Sequence, residues 1–156
     1  ETRFVRRIDE TTPQRRGGLR MEPEIVYLMI CDDVVADPQN LHRLNLRGVV
    51  ARLWSTARPP FPVTRPEICV FVLLTGGQGP TEIAVRIVQD AGGGAIFRTG
   101  IRRLHFRGQP SDVTGATFRL RRCTFPAAGL YWVEFLASRQ VIGRQRLWIL
   151  PRGAVP

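Results

Sequence analysis

The chain has 156 residues, a hydrophobic fraction of 44% and a formal net charge of +10. That length makes one ordinary domain, able to bury ~70% of the surface its unfolded chain exposes without metals or disulfides to hold a core. The apolar fraction is that of a globular chain, and the positive charge points towards nucleic acid or another anionic surface.

Residues 1–20 stand apart from the rest, with six arginines, three acids and a Pro13, Gly17, Gly18 break. They read as a flexible Arg-rich tail, or as an arm that orders on a partner, ahead of a single domain over 21–156. From Glu24 onward, short apolar or alternating runs are separated by Gly, Pro, Asp and Asn. They predict strands over 24–31, 43–54, 67–75, 81–89, 95–106, 116–124, 130–137 and 141–150. Asp37-Pro38 suits the cap of one helical turn over 40–44, although a turn leading into a strand is the preferred reading. The spacing predicts an all-β fold: an antiparallel two-sheet β-sandwich, Ig-like or related, of about eight strands and little helix.

Side-chain alternation then assigns faces. In 81–89, Ile83, Val85 and Ile87 face one way with Glu82 and Arg86 opposite, as in a sheet wet on one side. Segment 67–75 is apolar on both faces, and 24–31 is similar. Such strands need cover on both sides, from loops such as 58–66 or from a second copy, so a homo-oligomer or other protein partner is expected. In 129–150, a three-residue loop at Ser138–Gln140 sets apolar face on apolar face. It pairs Leu130 with Trp148, Trp132 with Arg146 and Glu134 with Arg144. Arginine stacked on indole is worth ~0.2–1 kcal/mol per cross-strand pair, so sheet stability alone accounts for the Trp–Arg pattern.

Cys31-Asp32, Asp37, the Leu46–Val50 run around Gly48, Phe61-Pro62, Phe125-Pro126 and the Gly129 to Tyr131 approach to the last strand resemble a known group. It is a family of small uncharacterised bacterial proteins, a domain family of unknown function expected to form an antiparallel β-sandwich. The resemblance spans residues 24–150 and implies the fold; it brings no catalytic residues. This chain departs from it at Ser138-Arg139-Gln140, where such proteins place an Asp-Gly-type turn.

The residues offer little chemistry. Cys31, Cys69 and Cys123 are widely spaced inside or at the ends of apolar runs, as small buried hydrophobes are in a reducing compartment. They are expected to be unpaired and free of metal. No apolar run approaches the ~18 residues of a membrane span, and a cytoplasmic location is expected. His42 and His105 lack a ligand partner at helical spacing. Asp32, Asp33 and Asp37 lack Ca-loop spacing and suit a turn whose carboxylates accept neighbouring backbone amides. The clusters Gly76–Gly79 and Gly92–Gly94 are hairpin turns rather than phosphate loops, and no serine sits in a GxSxG context. No enzyme, metal or cofactor is expected.

All 23 basic residues are arginine, which GC-rich codons explain as readily as nucleic-acid contacts do. Arg98, Arg102, Arg103 and Arg107 fall in one strand, and Arg119, Arg121 and Arg122 in another. Arg144 and Arg146 lie beside Trp132 and Trp148. Trp132, Arg144, Arg146 and Trp148 are therefore the candidate binding residues. The adjacent arginines at 102–103 and 121–122 point to opposite faces unless a bulge intervenes. The leading reading is a non-enzymatic, self-associating interaction or scaffold module. The alternative is a nucleic-acid-binding module that stacks bases on the Arg/Trp face.

Overall fold

The structure, a computed structural model, describes residues 22–153, apart from the side chains of Leu41 and His42. The tail expected over 1–20 lies outside the described residues. The first six strands are β1 (Glu24–Cys31), β2 (Asp33–Asp37), β3 (Asn40–Arg47), β4 (Arg52–Ser55), β5 (Val63–Thr75) and β6 (Gln78–Gln89). Then come β7 (Ala95–Arg98), β8 (Arg102–Arg107), β9 (Val113–Phe125), β10 (Gly129–Ala137) and β11 (Gln140–Pro151). Among the described residues there is no helix, and so none long and apolar enough to cross a membrane.

A three-stranded sheet, β1-β5-β9, faces a larger one ordered β4-β11-β10-β6-β7, with β8 also paired to β6. The expected all-β sandwich is therefore present. Its core comes from alternate residues of facing strands. Val70, Val72, Phe118 and Leu120 of the small sheet meet Val85, Ile87, Val133 and Phe135 of the large one. Phe118 and Phe135 meet edge to face at 6.1 Å, and Phe125 and Tyr131 do so at 5.0 Å. The buried Tyr131 hydroxyl donates to the Ala127 carbonyl at 2.7 Å, a device that Ig-like sandwiches share.

Among the described residues, eleven strands replace the expected eight, for local reasons. The run over 43–54 breaks at Gly48, whose φ of 61° a side chain rarely adopts and where a Cβ would strike the Asp32 carboxylate. Its first part forms β3; its second, β4, crosses to the large sheet and pairs parallel with β11. That is the exception to the expected antiparallel pairing. The run over 95–106 breaks at 99–101, leaving β7 and β8 as separate partners of β6. The Asp-rich stretch expected to be a turn pairs instead as β2, and the residues weighed as a helical turn belong to β3.

The β2–β3 hairpin also answers the two-sided apolar strand. It supplies cover outside the small sheet: the Leu44 side chain lies beside Gly115, next to Phe71, and Arg119 ties Asp33 to Glu67. Cys69 and Phe71 are buried beneath that layer. The cover foreseen in loop 58–66 is not separate, since residues 63–66 belong to β5 itself. Val26 and Tyr27 of β1 remain exposed.

The β10–β11 hairpin has the expected pairs: Leu130 with Trp148, Trp132 with Arg146, and Glu134 with Arg144. The loop differs. Ala137 pairs with Gln140, so the turn has two residues, Ser138 and Arg139, at φ 49° and 66°. Those are the positive angles of the favoured hairpin turns, adopted here without glycine. A bulge between Phe135 and Leu136 on the β10 register takes up the extra residue of β11 and restores the apolar match.

Candidate interaction surface

Because paired residues share a face, the register places Trp132 and Glu134 of β10, Arg144, Arg146 and Trp148 of β11, and Arg52 of β4 outside the large sheet. Trp54 lies two residues beyond Arg52, on the same side. All three tryptophans thus occupy one outer face. The intervening Leu53, Leu147 and Ile149 point into the core and hold the strands that carry them.

The four sequence-predicted residues divide into two groups. Trp132 is closed: the Arg144 guanidinium sits 3.9 Å from its ring centre and that of Arg146 sits 5.4 Å away. Its indole N–H donates to Asp90 at 2.8 Å. Beside it, Glu134 accepts from the Arg86 Nε at 2.7 Å. Trp148 is open, 41% exposed, and Trp54 on the adjoining strand is 43% exposed. Register sets Trp148 against Arg52 and Leu150 against Trp54. The result is an edge where aromatic and guanidinium groups alternate. Among the described residues, Arg52 has no ion pair or hydrogen-bonded side-chain partner.

Sequence reasoning missed Arg52 and Trp54 because it placed them at the end of one long strand. A signal was present. Arg-Leu-Trp occurs at 52–54 and again at 146–148, and the two copies lie side by side on parallel strands, offset by two residues.

The remaining arginines are scattered. Arg119 and Arg121 lie outside the small sheet, on the opposite side of the sandwich, and both engage Glu67. At 121–122 the intervening distortion exists: Arg122 has φ 54°, and both residues are exposed between the buried Leu120 and Cys123. Arg102 turns to the sandwich edge, where its guanidinium donates to the Thr117 carbonyl and lies 4.7 Å from the Phe118 ring centre.

The acid cluster acts locally. Asp37 accepts from the Gln39 amide and Asp33 from the Val34 amide, each at 2.9 Å. The Arg119 guanidinium, followed by the Val34 amide, holds the Asp33 carboxyl below its ordinary range. Cys31, Cys69 and Cys123 are buried, free thiols, and the first two are register partners. Burial pushes Cys31 up to about 11, with help from neighbouring Cys69 and Asp32, and pushes Cys123 up to about 12. Such thiols stay protonated and unreactive near neutrality. His105 is exposed on β8.

Several solved structures align with this chain at low identity. An alkylpurine DNA glycosylase of Pseudomonas fluorescens bound to DNA containing an abasic site analog matches at 16% identity and a TM-score of 0.46, over 83% of this chain and 31% of that one. A beta-glucosidase from Listeria innocua in complex with isofagomine matches at 10% identity and 0.43, over 83% of this chain and 16% of that one. An immunoglobulin-like protein from Pseudomonas aeruginosa matches at 11% identity and 0.35, over 83% of this chain and 98% of that one. The chain spans a third or less of the glycosylase and of the glucosidase. No curated protein matches it at a significant level. Residues 26–149 match the profile described as "Family of unknown function (DUF6941)", and the chain belongs to that family.

Proposed function

We propose that the protein is a non-enzymatic interaction module that holds a protein partner against the β4–β11 edge of its large sheet. The observation that carries this reading is the pair of half-exposed tryptophans, Trp54 and Trp148, set on rigid neighbouring strands beside Arg52. Tryptophan and arginine dominate the binding energy of protein interfaces, and strand-borne side chains lose little freedom when they engage. Self-association is the simplest form of the reading, with exposed Val26 and Tyr27 as a second apolar contribution. Three free, buried cysteines agree with work in a reducing compartment such as the cytoplasm.

Nucleic acid is the competing occupant. Arg144 already occupies the ring of Trp132, which weighs against base stacking there, and the arginines are divided between opposite faces of the sandwich.

The test compares wild type with a Trp54→Ser, Trp148→Ser double variant. Quantitative affinity capture from the native host, sedimentation, and titration with a single-stranded oligonucleotide form its three arms. The expected result is a discrete protein partner, or a self-associated species, that wild type retains and the equally stable double variant loses. Submicromolar oligonucleotide binding lost in the double variant, and falling ~10³–10⁵-fold between 50 and 200 mM salt as a set of 6–10 phosphate contacts would, sinks the proposal in favour of nucleic acid.

A further inference from the structure

At the other end of the same sheet face, the strand beside β6 is interrupted. β7 stops at Arg98 and β8 starts at Arg102, and Thr99 fastens the gap. The Thr99 amide donates to the Val85 carbonyl, and its hydroxyl accepts from the Val85 amide, both at 2.9 Å. Ile101 is left 58% exposed. Ala84, opposite Leu136 in register, has a side chain too short to fill the space this opens. The result is a groove of about 370 Å³ with Ala84 in its lining, apolar walls from Leu136 and Ile101, and Arg86, Arg98 and Arg139 around it. That volume lies within the range of small-molecule sites, which combine apolar walls with a few convergent polar groups.

The charges are unevenly matched. Arg86 and Arg98 are direct register partners, an arrangement that repels unless counterions intervene. Glu134 neutralises Arg86 at 2.7 Å, while Glu82 meets Arg139 at 3.6 Å. Among the described residues, the Arg98 side chain has no hydrogen bond or ion pair. One guanidinium is in excess, which matches a monoanion, and the two nearby carboxylates disfavour a dianion such as phosphate. A planar guanidinium fits a carboxylate bidentately.

We propose that this groove binds a small apolar carboxylate, its chain lying over Ala84 between Leu136 and Ile101 and its carboxylate meeting Arg98. The proposal is independent of the partner-binding edge at β4 and β11, so either fails without the other.

Octanoate is the probe and octanol its neutral counterpart, followed by amide chemical shifts and calorimetry on the whole chain. The expected result is saturable octanoate binding at millimolar concentration or tighter, with shifts confined to residues 82–86, 98–101 and 136–139. Arg98→Gln weakens it at least about tenfold, as loss of a charge-assisted pair predicts. Ala84→Leu abolishes it by filling the groove, and octanol binds no better to wild type than to Arg98→Gln. Because Arg98 is exposed, its variant keeps the wild-type spectrum and remains informative should Ala84→Leu misfold. Absence of octanoate binding, equal binding by wild type and Arg98→Gln, or shifts mapping elsewhere overturns the proposal.

Discussion

The two outer faces of this sandwich carry different side chains and meet different fates. Outside the small sheet, β5 presents Cys69, Phe71 and Leu73, and the chain supplies its own cover: the β2–β3 hairpin, secured where Arg119 meets Asp33 and Glu67. Outside the large sheet, β10 and β11 present Trp132, Glu134, Arg144, Arg146 and Trp148, and among the described residues no third layer lies over them. An apolar face exposed to water has to be removed from it, whereas indole and guanidinium groups satisfy one another across strands and keep their polar ends wet. The first face stabilises the fold by burial. The second needs little burial, and the proposed function assigns recognition to it.

The sharpest way to break this comparison is to empty the covered face. Phe71→Ala removes a buried ring that packs towards Gly115 and Leu44. It should cost about 3–5 kcal/mol in chemical denaturation and expose the hairpin amides to hydrogen exchange. A loss no larger than that of an exposed aromatic would mean that the hairpin does not rest on β5.

An intermediate effect should come from the closed part of the open face. Trp132→Ala removes the Arg144 stack and the bond to Asp90, for about 1–2 kcal/mol together. Trp148→Ala, by contrast, should cost below about 1 kcal/mol while removing whatever binds the β4–β11 edge. If the two indoles prove equally costly, the division into structural and recognition tryptophans is wrong.

The smallest effect probes the fastening of the cover. Asp33 is held below its ordinary value, chiefly by Arg119. Its contribution to stability is therefore complete above the unfolded carboxyl value near 3.8 and is lost as pH falls through the lower folded value. Acidification below pH about 4 should loosen the β2–β3 amides before the core of the large sheet opens. In Asp33→Asn that hairpin-specific, acid-dependent exchange should be absent. Hydrogen exchange followed by mass spectrometry against pH reads both.

Much of this was legible from residue order. Alternation in 81–89, 129–135 and 143–149 assigned inward and outward residues correctly, because side chains change sides at every residue of a regular strand; the bulge breaks that rule at Val141, which is exposed. Even the β10–β11 register followed, since slipping it would set Tyr131 and Val133 against arginines. The loop was misjudged because Ser138 and Arg139 carry the positive angles that glycine or asparagine usually signals. A bulge further along the hairpin then compensated for the missing loop residue.

The sequence by itself determined the strand segments β1, β5, β6 and β9 to β11, the faces most of them present and the burial of the three cysteines, all of which depend on local spacing and side-chain polarity. Only the tertiary structure decided that Gly48 divides one apolar run between two layers, that β2 and β3 cover β5, and that two Arg-Leu-Trp copies far apart in the chain become neighbours on parallel strands. Strand pairing obeys hydrogen-bond complementarity between segments distant in the chain, and a backbone that offers the same donors and acceptors along its whole length leaves no mark of its partner in the residues themselves.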